Sequence, residues 1–225
     1  MKKVICLLLL SVFVINVSAQ NTIVRRHNKA SSTKKSTSTK HSTTKQVPQK
    51  KSLDFTPGQA IDLGLPSGTL WADRNLGASK DIYEGGLFIY GDPTGDNQRI
   101  SVPEEVSEIS RTQYDIATAK WGYKWCLPTE NDAQELFDNC YIQRKTKNGV
   151  DGYLLTGKNG NSIFFPVSSR YSKSRFDGNP YVACWLANNI GVYNNGARFM
   201  WMENNMKSIL CWSMNFRFTV RPVTR

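Results

Sequence analysis

The sequence predicts an α+β domain of short antiparallel strands, with one main helix and long loops. Three observations predict it. Short runs of aromatic and β-branched residues, some in period-two alternation, recur from Tyr153 to the C-terminus. One strong helical stripe lies between Pro128 and Cys140. Asn- and Gly-rich stretches separate these segments, as loops and turns require.

In chain order, Met1–Lys3 gives a basic start and Val4–Val14 an apolar run broken only by Ser11. Val17-Ser18-Ala19 then fits a small-residue cleavage site, so residues 1–19 read as a secretory signal peptide. The run is shorter than the roughly 20 apolar residues a spanning helix needs, and no other segment is apolar enough. Cys6 sits inside the run and not at its end, which disfavours acylation. The expected destination is export, whether periplasmic, cell-surface or extracellular.

Gln20–Ser52 differs in kind. It carries nine basic residues and no acidic ones, with Ser, Thr and Lys filling Ala30–Lys45. So little apolar surface cannot offset the entropy of ordering, and a disordered linker is expected. Eleven of the 29 basic residues precede Leu53 and none of the 18 acidic ones do, which leaves Leu53–Arg225 with 18 of each. The basic character therefore belongs to the tail, and a nucleic-acid-binding domain with its own basic face is not indicated. Contact with an anionic polymer at a surface and a merely solvating spacer are both open readings of the tail.

Both histidines, His27 and His41, lie in the tail, so the folded part has no Ser-His-Asp or Cys-His arrangement and no His-ligated metal site. Four cysteines remain there: Cys126, Cys140, Cys184 and Cys211. An even count in an oxidising compartment allows two disulfides. Cys184 and Cys211 both lie in strand-like segments, which makes Cys184–Cys211 the first choice. Cys126–Cys140 is the remaining pair, and Cys140 fits a buried core thiol equally well. No CxxC pair points to redox or zinc chemistry.

Leu53–Arg225 has the size of one ordinary domain. Tyr114–Trp121 is a short helix candidate with Ala117 and Trp121 inward. In the main helix Thr129 caps the N-terminus, and Asp132 stands where a capping box usually has Glu or Gln. Ala133, Leu136, Phe137 and Cys140 form its apolar stripe. Tyr153–Thr156 and Ile163–Val167 flank a Gly157–Asn161 loop whose Asn-Gly and glycines supply positive φ. Val182–Leu186, Arg198–Met202, Ile209–Trp212 and Phe216–Val220 read as further strands. In the last, Phe216, Phe218 and Val220 alternate with Arg217, Thr219 and Arg221.

Three segments carry a resemblance: Asp62-Leu63-Gly64-Leu65-Pro66-Ser67-Gly68-Thr69-Leu70-Trp71 with Asn75-Leu76-Gly77-Ala78, then Trp125-Cys126-Leu127-Pro128-Thr129, and the closing Phe218-Thr219-Val220-Arg221-Pro222-Val223. Together with Asn148-Gly149 and Gly160–Pro166 they resemble the Fibrobacter succinogenes major paralogous domain family, secreted modules grouped with C-type-lectin-like folds. The resemblance spans roughly Leu53–Arg225 and implies a single C-type-lectin-like domain acting as a binding scaffold. Cys126 stands at a position usually basic in that family, and Cys184-Trp185-Leu186 replaces its aromatic-Trp-Ser-Ser run.

Candidate sites were weighed by chemistry. Asp92, Asp96 and Asn97 cluster oxygens on a loop but match no EF-hand, and ordinary turn roles explain them better. The sugar-binding triplets of calcium-dependent lectins are absent, Gly178-Asn179-Pro180 being a near miss. Glu104, Glu105 and Glu108 are close in sequence, which is no evidence of a catalytic pair. The related formylglycine-generating enzymes depend on cysteine motifs that do not map onto Cys184 or Cys211, and Cys126-Leu127-Pro128 leads to Glu130 where an Arg would be needed. No enzyme activity, cofactor or metal is expected. The Trp- and Asn-rich C-terminal third offers aromatic faces beside amide groups. Tyr193, Asn194, Asn195, Trp201, Asn204 and Asn205 are the candidate ligand contacts, with core and turn roles as the competing reading. The expected function is adhesion or recognition of a surface glycan or protein; the alternative is a structural surface component anchored by the tail.

Overall fold

The computed structural model describes residues 52–167, 181–189, 195–204 and 206–225. The expected signal peptide, the linker up to residue 51, the Gly178-Asn179-Pro180 segment and the candidates Tyr193, Asn194 and Asn205 lie outside the described residues. The elements in order are β1 (Ala60–Ile61), β2 (Leu70–Ala72), β3 (Phe88–Ile89), α1 (Ile116–Trp121), α2 (Glu130–Asn139), β4 (Tyr141–Lys147), β5 (Val150–Thr156), β6 (Ser162–Pro166), β7 (Tyr181–Asn189), β8 (Gly196–Glu203), β9 (Met206–Ser213), β10 (Arg217–Phe218) and β11 (Val223–Thr224). Small antiparallel sheets with two helices make this an α+β fold.

Local chemistry explains the two helices. Asp115 caps α1 by accepting from Ala117 N and Thr118 N, and Gly122 ends it at φ +86°. Thr129 and Asp132 close a full capping box on α2, the shorter Asp serving where Glu or Gln is usual. Ala133, Leu136 and Phe137 then form the buried stripe, with Cys140 at its end.

Two three-stranded sheets position the candidate site. In β4-β5-β6 the first turn is Asn148-Gly149, both at positive φ, the two-residue geometry that matches strand twist. In β7-β8-β9 strand β8 is central. One face of that sheet puts Val182, Cys184, Met200 and Met202 into a core with the α2 stripe, Trp71, Tyr153, Leu155 and Phe165. Its other face puts Ala183, Trp185 and Phe199 into a second core with Phe88, Tyr90, Trp121, Trp125 and Phe218. A third sheet, β1-β2-β11, pairs Trp71 with both Ile61 and Val223, tying the two ends of the domain together.

Several expectations change here. The segment expected as strand Phe216–Val220 forms only the two-residue β10 before running along the edge of β7, where Thr219 bridges Cys184. From Phe218 onward both faces are covered, so Thr219 and Arg221, expected on the solvent side, are buried, while Arg217 stays exposed. Gly157 does not have positive φ. A Cβ there would meet the Leu63 carbonyl oxygen at 1.9 Å, so this glycine is needed for backbone approach, while Gly160 supplies the turn at φ +85°. Strand β4 carries no apolar alternation and was not expected as a strand; its pairing to β5 creates it.

The Cys184–Cys211 disulfide is not formed. Strand β8 intervenes, with Cys184 opposite Met200 and Cys211 opposite Arg198. Two strand spacings, about 9–10 Å, exceed the roughly 7 Å Cα reach of a disulfide. Cys184 Sγ instead lies 2.9 Å from Thr219 Oγ1, and Cys126 Sγ lies 3.7 Å from the Val223 carbonyl. Cys126 and Cys140 are not bonded to each other either.

Candidate functional site

The described candidate residues do not converge. Asn195 and Asn204 stand at opposite ends of β8, about 30 Å apart along an eight-residue strand. Asn195, at φ +41°, accepts from Met214 N and so serves a turn. Trp201 is half-buried, pairs with Ala183 and Ser208, and packs on the second core, on the sheet face away from α2. Asn204 lines a concavity.

That concavity has a volume of about 400 Å³. It opens where the C-terminal end of α2, strands β4 and β5 and the turn between β8 and β9 meet. Cys140, Ile142 and Tyr153 lie at its inner side, with Tyr141, Arg144, Asn204, Met206 and Lys207 around them. Antiparallel register explains this assembly: Arg144 lies opposite Tyr153 across β4–β5, and Glu203 opposite Met206 at the neighbouring turn. The Tyr153 hydroxyl donates to the Asn204 carbonyl at 3.3 Å, which fastens that turn to β5. Asn204 itself sits at φ +52°, a conformation asparagine tolerates better than most residues.

Tyr141 is 70 % exposed. Its ring covers no core, and strand alternation puts it with Thr156 on the face of β4–β5 away from Ile142, Arg144 and Tyr153. Of the cations, Lys207 donates to the Phe137 carbonyl at the end of α2 and lies 5.7 Å from the Phe137 ring centre. A lysine there compensates the negative end of the helix. The Arg144 guanidinium comes no nearer than 3.8 Å to Asp151, and both side chains are about half exposed. Such a pair contributes little. Burial pushes the Cys140 thiol up to about 11, against the pull of Lys207, and burial also raises the Tyr153 hydroxyl. Both groups stay neutral near pH 7, and neutral thiols are poor nucleophiles. The cleft suits holding a ligand better than attacking one.

Elsewhere the polar clusters are committed to the fold. The buried Asp92 carboxylate accepts from Thr94 N at 2.9 Å, Thr94 Oγ1 at 2.6 Å and Gln98 N at 2.9 Å, while Asn97 Oδ1 accepts from Ile89 N at 3.1 Å. Asp92 and Asn97 thus take the turn role, while Asp96 is exposed. Glu108 accepts from Asn188 Nδ2 at 3.3 Å. Asp115 is raised above the usual carboxylate range by burial, yet it accepts from the backbone of Arg111, Ala117, Thr118 and Leu127, a helix-capping duty.

Sequence reasoning missed Tyr141, Arg144, Tyr153 and Lys207 as site residues. The available signal was Asn148-Gly149, which fixes a hairpin and hence puts the polar run Gln143–Lys147 on a strand beside Tyr153. No protein-family model, curated protein or solved structure matches this chain.

Proposed function

We propose that the chain is an exported, non-catalytic recognition module that binds a cell-surface glycan in the concavity at the β8–β9 turn. In fold it is read as C-type-lectin-like, on the motifs it shares with the major paralogous domain family. The observation that carries the functional reading is the combination inside one cleft of about 400 Å³. A tyrosine hydroxyl, an asparagine and two cationic side chains lie around it. Sugars are held by directional polar groups of that kind, and the volume is that of a small-ligand site and not of a flat protein interface. The basic residues before Leu53 act separately, as a tether that meets anionic surfaces or as a spacer.

The test is a glycan-panel and whole-cell binding measurement on the full chain at low and high salt, with Arg144→Ala as comparison. Selective, salt-resistant binding that the substitution weakens supports the reading. Binding that salt abolishes and the substitution leaves alone assigns the interaction to the tail and refutes a glycan site in the cleft.

A second reading, a structural surface component, is favoured by strand β9. It is an edge strand among the described residues, and Leu210 and Trp212 on it are 37 % and 39 % exposed. Apolar edge strands pair with other chains. A concentration-dependent oligomer in sedimentation, dispersed by Leu210→Lys, supports this reading; a monomer at all concentrations counts against it.

A further inference from the structure

We propose that the outer edge of β4 docks an extended acidic peptide segment of another protein, which adds to the β4-β5-β6 sheet as a further strand. The inference does not rest on the glycan reading: it concerns main-chain groups of β4 and not the interior of the cleft.

Register fixes which groups are on offer. Val167 N donates to the Asp151 carbonyl at 3.0 Å and Gly157 N to the Asn161 carbonyl at 2.9 Å, so the odd-numbered residues of β5 bond towards β6. Its even-numbered residues bond towards β4, where they stand opposite Tyr141, Gln143, Lys145 and Lys147. Ile142, Arg144 and Thr146 therefore turn their N–H and C=O groups away from the sheet. Strand β4 pairs with β5 alone, and none of these outward groups has a partner among the described residues. They extend over about 14 Å, enough for a strand of ordinary length to pair along them. Main-chain pairing of this kind is how sheet edges take up extended peptides.

Charge selects the occupant. Strand β4 carries Arg144, Lys145 and Lys147 and no acidic residue. Lys147 is paired with Asp81, whereas Arg144 comes no nearer than 3.8 Å to Asp151. Lys145 is exposed and makes no ion pair among the described residues. Lys207 adds a further cation where Ile142 and Arg144 line the cleft. Lysines along an edge ordinarily repel a like edge. A second copy pairing through β4 would set cations against cations, which disfavours that occupant. An acidic strand turns the same charges into cross-strand pairs.

Side-chain alternation puts Arg144 on one face of the sheet and Lys145 on the other. Two adjacent acidic residues in the added strand thus meet one cation each. Tyr141, 70 % exposed on the Lys145 face, and Ile142, half-buried on the Arg144 face, present apolar surface to β-branched residues beside the acidic pair.

The probe is a capped ten-residue peptide of alternating valine and threonine with two adjacent central glutamates. Calorimetry at moderate salt compares it, on the full chain, with a copy carrying glutamines for the glutamates and a copy N-methylated at its four central residues. A double variant, Arg144→Gln with Lys145→Gln, is titrated after its unfolding midpoint shows that it folds. Residues 1–51 are identical in parent and variant, so any contribution of the tail cancels. Amide hydrogen exchange of the parent with and without peptide locates the contact. The expected result is binding of the acidic peptide, about fivefold or more weaker binding of the glutamine copy and of the variant, and none of the N-methylated copy. Exchange slows at the N–H groups of Ile142, Arg144 and Thr146, and not at those of Gln143 and Lys145, which β5 already holds. No binding of the acidic peptide overturns the proposal, as does equal binding of the glutamine or N-methylated copy. Binding that leaves exchange at Ile142, Arg144 and Thr146 unchanged assigns the contact to the tail or another surface and overturns it too. Protection of those three groups in the free chain that rises with its concentration makes a second copy the occupant, again against the proposal.

Discussion

Arg221 joins three separate parts of the interior. Fully buried, it donates through Nε to Asn75 Oδ1 at 2.8 Å, through Nη1 to the Ala72 carbonyl at 3.1 Å and through Nη2 to the Phe164 carbonyl at 2.8 Å, and it lies 4.1 Å from the Phe165 ring centre. Burial lowers it to about 10. Its donors satisfy oxygens from β2, β6 and the Asn75 loop that would otherwise be stranded. Arg221→Met should therefore cost about 3 kcal/mol or more, since each orphaned buried acceptor costs roughly 1–3; chemical denaturation measures it, and an unchanged midpoint would contradict the role. Other buried groups set the alkaline response. Burial pushes the Cys140 and Cys184 thiols up to about 11 and raises the Tyr90 hydroxyl. The native chain then keeps protons that the unfolded chain releases, so these groups stabilise fully below about pH 9 and lose that contribution as pH rises through about 11. Arg221 acts oppositely: its cost is full below about 10 and is relieved above. Thermal unfolding across this range should first weaken just above pH 9, before Arg221 begins to compensate; stability that rises there would contradict the assignment.

Among the elements, the β5–β6 hairpin depends on two glycines for different reasons. Gly160 turns the chain at positive φ, with nothing within 4 Å of its missing side chain. Gly157 has an ordinary φ but stands against the Leu63 backbone, which cannot move aside as a flexible side chain would. Gly157→Ala should destabilise by about 1–3 kcal/mol or more through overpacking. Differential scanning calorimetry of the variant reads this directly, and a neutral outcome would mean that the loop after β1 yields. Helix α2 shows how one element serves both stability and site. Its capping box fixes its start, its stripe fills the first core, and its last turn delivers the Phe137 carbonyl to Lys207 and Cys140 to the cleft.

At the level of the molecule, two cores on the two faces of β7-β8-β9 replace covalent cross-linking. The sheet order puts β8 between Cys184 and Cys211, and burial keeps Cys126, Cys140 and Cys184 inside, each as a thiol. Thiol titration of the denatured, unreduced protein should recover free thiols at these three positions. A peptide map containing a Cys184–Cys211 or Cys126–Cys140 bridge would require a strand order different from β7-β8-β9 or a displaced α2. Tyr141 belongs to neither core, so Tyr141→Ala should leave stability within about 0.5 kcal/mol, as exposed substitutions do. A larger loss would make Tyr141 structural.

The sequence by itself determined the local elements. The stripe Ala133, Leu136, Phe137 and Cys140 behind a Thr129 cap specified α2, and the Gly157–Asn161 loop specified the β5–β6 hairpin. These depend on neighbours within a few residues, which period and turn chemistry report. Tertiary structure decided which residues meet. Arg221 looked like the outward residue of an alternating strand until β7 covered that side. The Asn- and Trp-rich segment looked like one surface until β8 stretched Asn195 from Asn204 and turned Trp201 to the other face. Arg144, with no apolar alternation around it, acquired its place only by pairing with β5 opposite Tyr153, beside the β8–β9 turn some 60 residues onward. Strand order and register are set by packing between distant segments, and a composition or a local period carries no record of that choice.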